Sequence, residues 1–313
     1  MKRAAPAGTV AARAAALWRL MRPYQWVKNG FVLAGLIFGH GWSDSELVGR
    51  VLLLFAGFCL VSSGVYMLND ILDREADRVH PEKRERPVAR GDVGVRLALA
   101  CAAALVVAGL ACAAVVSAPA AGIAAAYIVL NMGYSAGLKH IAILDVFLIA
   151  GGFMLRIAAG TLGVGIEPSR WLLGCGLMFT LFLGFCKRRA ELASLDTGAG
   201  AGAGDGVGEE STVSQRRSLQ DYSPALLDPL IWICAAGAAL GYALYTLDER
   251  TVITHGTAQL IWTLPLVLYG LFRYLYALYA RGAGADPASD LFRDPHLLVA
   301  LAGWLGLSWW LIS

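Results

Sequence analysis

Long apolar runs separated by short charged stretches fill almost the whole chain. In order they cover about residues 25–41, 47–72, 95–117, 119–136, 141–163, 169–187, 225–246, 258–280 and 295–312. Each is close to the ~20 residues of helix that cross a bilayer. The pattern predicts an all-α integral membrane protein with nine transmembrane helices. Residues 1–20 are Ala-rich with Lys2, Arg3, Arg13 and Arg19, and lack the compact apolar core and cleavage site of a signal peptide. They read as an interfacial helix or a disordered tail, and residues 21–313 as one transmembrane domain. Residues 197–210, mostly Gly and Ala, read as a flexible cytoplasmic loop.

Nine spans put the two ends on opposite faces. With the N-terminus inside, 22 of the 26 Lys and Arg fall on inside segments. Only Arg50, Arg170 and Arg250 lie outside, and Arg156 falls within a span. This bias orients the N-terminus and the densest charged loops toward the cytoplasm. Composition agrees: 58% of residues are hydrophobic and 16% charged, with a mean hydropathy of +0.60, against about 25% charged in soluble domains. The net charge of +3 is too small to suggest nucleic acid as a partner. Cys59, Cys101, Cys112, Cys175, Cys186 and Cys234 lie in or beside apolar runs without a CxxC pair, so neither disulfides nor zinc are expected.

The densest chemistry begins where the second run ends. Asp70, Asp73 and Asp77 stand at i, i+3 and i+7. On one helix these positions fall within roughly 60° of each other and span about 10 Å. Three carboxylates on one face repel unless cations lie between them. Hard oxygens of this kind suit Mg²⁺, which keeps several waters and bridges to substrate phosphates. Lys83, Arg84, Arg86 and Arg90 follow as donors for phosphate oxygens. An interface marker would account for the basic residues but leaves three acids on one face without a role.

Other ionisable residues sit at span ends. Lys28 and Asn29 follow Arg22-Pro23-Tyr24-Gln25-Trp26-Val27 at the edge of the first run, either as snorkelling anchors or as phosphate contacts. Lys139 and His140 close a very short inside loop, with His140 read as structural. Asp145 lies near the inner end of the fifth span and Arg156 about 16 Å deeper. Such residues cost about 2.5–3.5 kcal/mol each on insertion scales, so they are either a buried ion pair or part of a polar site. The sixth span ends in Lys187-Arg188-Arg189-Ala190-Glu191. No Walker loop or dinucleotide fingerprint is present. The last three spans carry few central charges and read as wall and lipid groove.

NDxxDxxxD, here Asn69, Asp70, Asp73 and Asp77, resembles the first signature of the UbiA superfamily of intramembrane prenyltransferases. The nine spans and cytoplasmic charged face extend the likeness over nearly the whole chain. RPYQWVKN at 22–29, DRVHPEKRERPVARG at 77–91 and YSAGLKH at 134–140 are similar to its decaprenyl-phosphate phosphoribosyltransferase branch. So are LDVFLIAGGFMLRIAAG at 144–160, KRRAEL at 187–192 and RRSLQDY at 216–222. Aromatic prenyltransferases of the superfamily usually carry a second acidic motif after the sixth span; here a basic cluster with one acid stands instead.

The resemblance implies a bacterial inner-membrane enzyme that moves a 5-phosphoribosyl group from 5-phosphoribosyl 1-diphosphate to a polyprenyl phosphate. It implies Mg²⁺ held by Asp70, Asp73 and Asp77, with Asn69 orienting the diphosphate. Lys83, Arg84, Arg86, Lys139, Lys187 and Arg188 would grip the phosphates, and Tyr134, Asp145 and Glu191 complete the substrate-binding set. Lys28 and Arg156 would contact the lipid phosphate. The product would feed arabinan-type envelope glycans, and a homo-oligomer is compatible with all of this. An aromatic prenyltransferase shares the Asp ladder and is the alternative enzyme. A non-catalytic polyprenyl-phosphate carrier is the alternative from another class, but it leaves the ladder unused. The Gly-rich insert departs from the branch pattern, in a loop that absorbs length.

Overall fold

The computed structural model describes residues 10–39, 41–79, 83–196, 219 and 221–312, and the Gly-rich stretch lies outside them. Among the described residues it is all helical. The order is α1 (Val10–Met21), a 3₁₀ segment (Pro23–Leu33) running into α2 (Ala34–Phe38), α3 (Ser45–Leu72), α4 (Arg74–Val79) and α5 (Pro87–Arg90). Then follow α6 (Val95–Val116), α7 (Ala118–Ala136), α8 (Leu144–Gly160) and α9 (Arg170–Asp196). The chain closes with α10 (Pro224–Leu247), α11 (Glu249–His255), α12 (Leu264–Arg281), α13 (Pro287–Arg293) and α14 (Pro295–Ile312).

Seven helices among the described residues are long and apolar enough to cross a membrane, at 45–72, 95–116, 144–164, 170–194, 224–247, 259–281 and 295–312. The chain is a multi-pass membrane protein. These seven coincide with predicted runs. The run at 119–136 is the 19-residue α7, whose Pro, Asn, Ser and two Tyr residues dilute its hydropathy. The first run, at 25–41, is not one α-helix: Arg22 takes a left-handed conformation, φ 53°, and Pro23 opens the 3₁₀ segment.

That segment lies tightly against α8. A Cβ on Gly160 would overlap the Val32 carbonyl, and one on Gly35 would overlap the Gly160 carbonyl. Two glycines therefore let backbone meet backbone, the usual route to close packing where water drives nothing. α3 and α6 cross in the same way, with Gly57 facing the Gly109 carbonyl and Gly64 the Ala102 carbonyl. Side chains cap the helices at loop ends: Asp44 accepts from the amides of Glu46 and Leu47 at 2.9 and 3.1 Å, and Ser117 from Ala120 at 3.0 Å.

Three packed clusters hold the bundle. One joins Val51, Leu54, Phe58 and Val61 of α3 to Tyr127 of α7 and Ala159 of α8. Another joins Phe182 and Phe185 of α9 to Leu227 and Ile231 of α10 and Tyr274 of α12. The third seats Ala16 and Leu20 of α1 against Met67 of α3, Val88 and Ala98. Thus the described part of the stretch read as an interfacial helix or tail is a docked helix, and Met67 and Ile71, on which it packs, flank Asp70.

Candidate active site

The ladder straddles a helix break. α3 stops at Leu72, Asp73 adopts φ −86° and ψ 2°, and α4 starts at Arg74. The expectation of one continuous helical face is corrected here. Backbone hydrogen bonds nevertheless continue across the break, from Asp73 N to Asn69 O at 2.9 Å and Asp77 N to Asp73 O at 2.8 Å. The consequence is a split ladder. Asp70 and Asp77 are buried, 2% and 3% exposed, whereas the Asp73 side chain is 41% exposed.

Arg86 Nη1 donates to Asp70 Oδ1 at 3.1 Å and to Asp77 Oδ2 at 2.7 Å. Arg22 donates to the same Asp70 oxygen, and its guanidinium lies 5.4 Å from the centre of the Tyr66 ring. Arg86 is itself the extended residue before Pro87, the first residue of α5, a conformation that the proline ring favours. Asp73 pairs instead with Lys139 at 3.5 Å. Ser135 at the end of α7 donates to Asn69 Oδ1 at 2.7 Å. The α7–α8 turn therefore closes onto the ladder at two points.

Among the described residues no three His, Cys, Asp or Glu side chains gather as a metal cluster. Two buried carboxylates do converge on one cationic nitrogen. Mg²⁺ commonly takes one or two carboxylates and completes its shell with water and phosphate. Asp70 and Asp77 fit such an ion by number, hardness and convergence; Asp73 stands outside the pair.

A second cluster lies on α9 and the start of α8. Arg188, 6% exposed, brings Nε to 2.6 Å from Asp145 Oδ2, an ion-pair contact without hydrogen-bond alignment. Its Nη1 donates to Glu191 Oε2 and its Nη2 to Tyr134 Oη at 3.1 Å. Asp145, fully buried, accepts from Tyr222 Oη at 2.6 Å, and the same hydroxyl accepts from Ile143 N at 2.6 Å. Ile143 has φ 69°, a costly conformation for a β-branched residue. Tyr222 pins that strained turn. Burial and the bond to Asp145 push the Tyr222 phenol well above its ordinary pKa.

Lys187 lies 3.8 Å from Glu191. Half-buried Lys83 stands between the clusters. Burial lowers its pKa and Arg86 lowers it further, while Asp77, Asp73 and Glu191 pull it back up. The Arg84 side chain is 65% exposed and lies 3.9 Å from Glu85.

Lys28 contacts Asp286 at 3.6 Å and lies within electrostatic reach of Lys187 and Arg156. Arg156 is embedded, 4% exposed: Nε donates to Asn29 Oδ1 at 2.7 Å, Nη1 to Gly152 O at 2.9 Å and Nη2 to Tyr127 Oη at 2.8 Å. It braces the first segment against α7 and α8 and acts on Lys28 from behind. Two residues given no role from sequence, Arg22 and Tyr222, enter the clusters. Both stand inside stretches singled out above, at 22–29 and 216–222; only their distant partners were invisible.

A family model described as the UbiA prenyltransferase family matches residues 30–190. The chain belongs to that family. Decaprenyl-phosphate phosphoribosyltransferase of Mycolicibacterium smegmatis is 29% identical over 93% of this chain and 90% of its own length. The protein of the same name from Corynebacterium glutamicum is 33% identical over 92% of this chain and 83% of its own. In fold, the chain is similar to a UbiA homolog from Archaeoglobus fulgidus bound to GPP and Mg²⁺, with a TM-score of 0.64, 19% identity and coverage of 95% and 99%.

Proposed function

We propose that the protein transfers a 5-phosphoribosyl group from 5-phosphoribosyl 1-diphosphate to a polyprenyl phosphate, releasing diphosphate. The observation that carries this reading is the cationic cluster of Lys187 and Arg188, with Lys83 between it and the buried Asp70–Asp77 pair. A donor with phosphate at both ends of a ribose needs an acidic, metal-suited end and a separate cationic end. The names of the curated relatives support the same reading.

In this scheme Asp70 and Asp77 would hold a divalent ion, Mg²⁺. The ion supplies neutralisation of charge on the leaving oxygens. Asn69, fixed by Ser135, orients the diphosphate, and Asp73 holds Lys139 toward it. Lys83 and Arg86 donate to the diphosphate, and Lys187 with Arg188 to the 5-phosphate. Asp145, Tyr134 and Glu191 keep the Arg188 fork in place. A lipid phosphate oxygen attacks the anomeric carbon, the bond to diphosphate oxygen breaks, and both electrons leave with the diphosphate. The nucleophile is already anionic and needs no general base. Charge grows on the leaving group, so these cations favour the transition state over the ground state. Lys28 faces the lipid phosphate, with Arg156 behind it.

The reading includes nine spans, counting the first segment and α7, in a bacterial inner membrane. N-terminus, ladder and the 197–210 loop lie on the cytoplasmic side, and residues 21–313 form one catalytic domain.

Thermal shift of the purified protein with Mg²⁺ tests the donor. Stabilisation by 5-phosphoribosyl 1-diphosphate but not by geranyl diphosphate is expected. The reverse result would move the chain to prenyl donors and aromatic acceptors.

A further inference from the structure

We propose that Arg86 is an exchangeable counter-cation: its guanidinium holds Asp70 and Asp77 together until a divalent cation replaces it, and the released side chain then donates to the diphosphate. The proposal rests on the divalent-ion reading above and adds what this chain does before the ion arrives.

Asp70 and Asp77 are each nearly inaccessible. Two buried carboxylates facing one another demand a cation between them. Arg86 Nη1 supplies it, within hydrogen-bond distance of one oxygen on each. Arg22 donates to the same Asp70 oxygen, so Asp70 keeps a partner when Arg86 leaves. The four charges balance. Against that neutral arrangement a divalent ion enters only by expelling a cation or by bringing its own anion, and a diphosphate is such an anion.

Arg86 is also placed to leave. It sits between two short elements, the 3₁₀ turn Lys83–Glu85 and α5, and its side chain is 27% exposed while its two partners are not. Arg22 has neither property to the same degree: it is less exposed, and its guanidinium rests on Tyr66. Exchange makes binding ordered in effect, because ion and diphosphate each improve the site for the other. Such coupling typically amounts to about 5–150-fold in affinity.

The test is Mn²⁺ titration, read by electron paramagnetic resonance, on the full chain purified in detergent without substrate. Arg86→Gln is expected to bind Mn²⁺ about tenfold or more tighter than the unaltered protein. An unchanged or weaker affinity overturns the proposal. If Arg86→Gln is not recovered folded, Arg86→Lys carries the test. Lysine keeps the charge, but its compact ammonium is more strongly hydrated than the Arg86 guanidinium and gives up the two carboxylates more readily. Its Mn²⁺ affinity is expected above that of the unaltered protein, and equal affinity overturns exchange. A control separates this from the broader reading. If Asp70→Asn with Asp77→Asn binds Mn²⁺ as the unaltered protein does, the ion site itself is misassigned, whatever Arg86 does.

Discussion

Arg188 and Asp145 meet at 2.6 Å in a fully buried pair that ties the sixth predicted span to the start of the fifth. Neither residue is near the other in sequence. Tyr222 holds the second Asp145 oxygen, and Tyr134 and Glu191 hold the rest of the Arg188 fork. Removing one partner of such a pair leaves a charge without compensation, at about 3–5 kcal/mol. Asp145→Ala should fall at the lower end, about 3 kcal/mol, because Glu191 remains. Tyr222→Phe should be milder, about 1.5–3 kcal/mol for a bond to a charged acceptor. It should raise the donor KM more than it lowers kcat. Chemical denaturation in detergent and steady-state kinetics check both.

The split ladder predicts unequal roles for its acids. Asp70→Ala and Asp77→Ala each remove one of two converging carboxylates and should lower turnover by at least about 100-fold. Asp73→Ala frees Lys139 from its partner, so its loss should be smaller and should appear partly in the donor KM. Kinetics of the three single variants at saturating Mg²⁺ decide this.

Lys83 makes the pH dependence specific. Its pKa is lowered, chiefly by burial, from the ordinary 10.5. The ammonium form is present below that lowered pKa and is lost as pH rises through it, so the alkaline limb of activity should begin below the usual lysine range. Stability runs the other way: the folded state holds this proton less tightly than the unfolded chain, so raising pH through the window favours folding. Lys83→Arg should move the activity limb to higher pH and leave the acid limb in place.

Gly160 is where the first segment's backbone touches α8. A methyl group there has nowhere to go, since the obstacle is the Val32 carbonyl and not a flexible side chain. Gly160→Ala should cost at least the ~1–3 kcal/mol of ordinary overpacking. It should also weaken lipid-phosphate binding, because Lys28 and Asn29 ride on the displaced segment. Gly30→Ala, with open space around it, is the control expected to change little.

Apolar run length alone located the seven long helices, because a bilayer-spanning stretch has few other solutions. The acid spacing at Asp70, Asp73 and Asp77 marked a site, but not its split. Spacing assumes a continuous helix, and the break at Asp73 depends on how α4 and α5 fold back. Arg22 reaching Asp70 and Arg156 reaching Asn29 and Tyr127 depend on how helices dock across 48, 127 and 29 residues of chain. No local pattern encodes those distances. The 3₁₀ course of residues 23–33 and its tight packing on Gly160 are not revealed by composition.

The most direct test is transfer of labelled ribose 5-phosphate from 5-phosphoribosyl 1-diphosphate into the lipid phase. Purified protein would be assayed with decaprenyl phosphate, with Mg²⁺ or EDTA, beside Asp70→Ala. Label in the lipid only with Mg²⁺ and an intact Asp70 is the predicted result. No lipid label, together with prenylation of a hydroxybenzoate from a prenyl diphosphate, would contradict it.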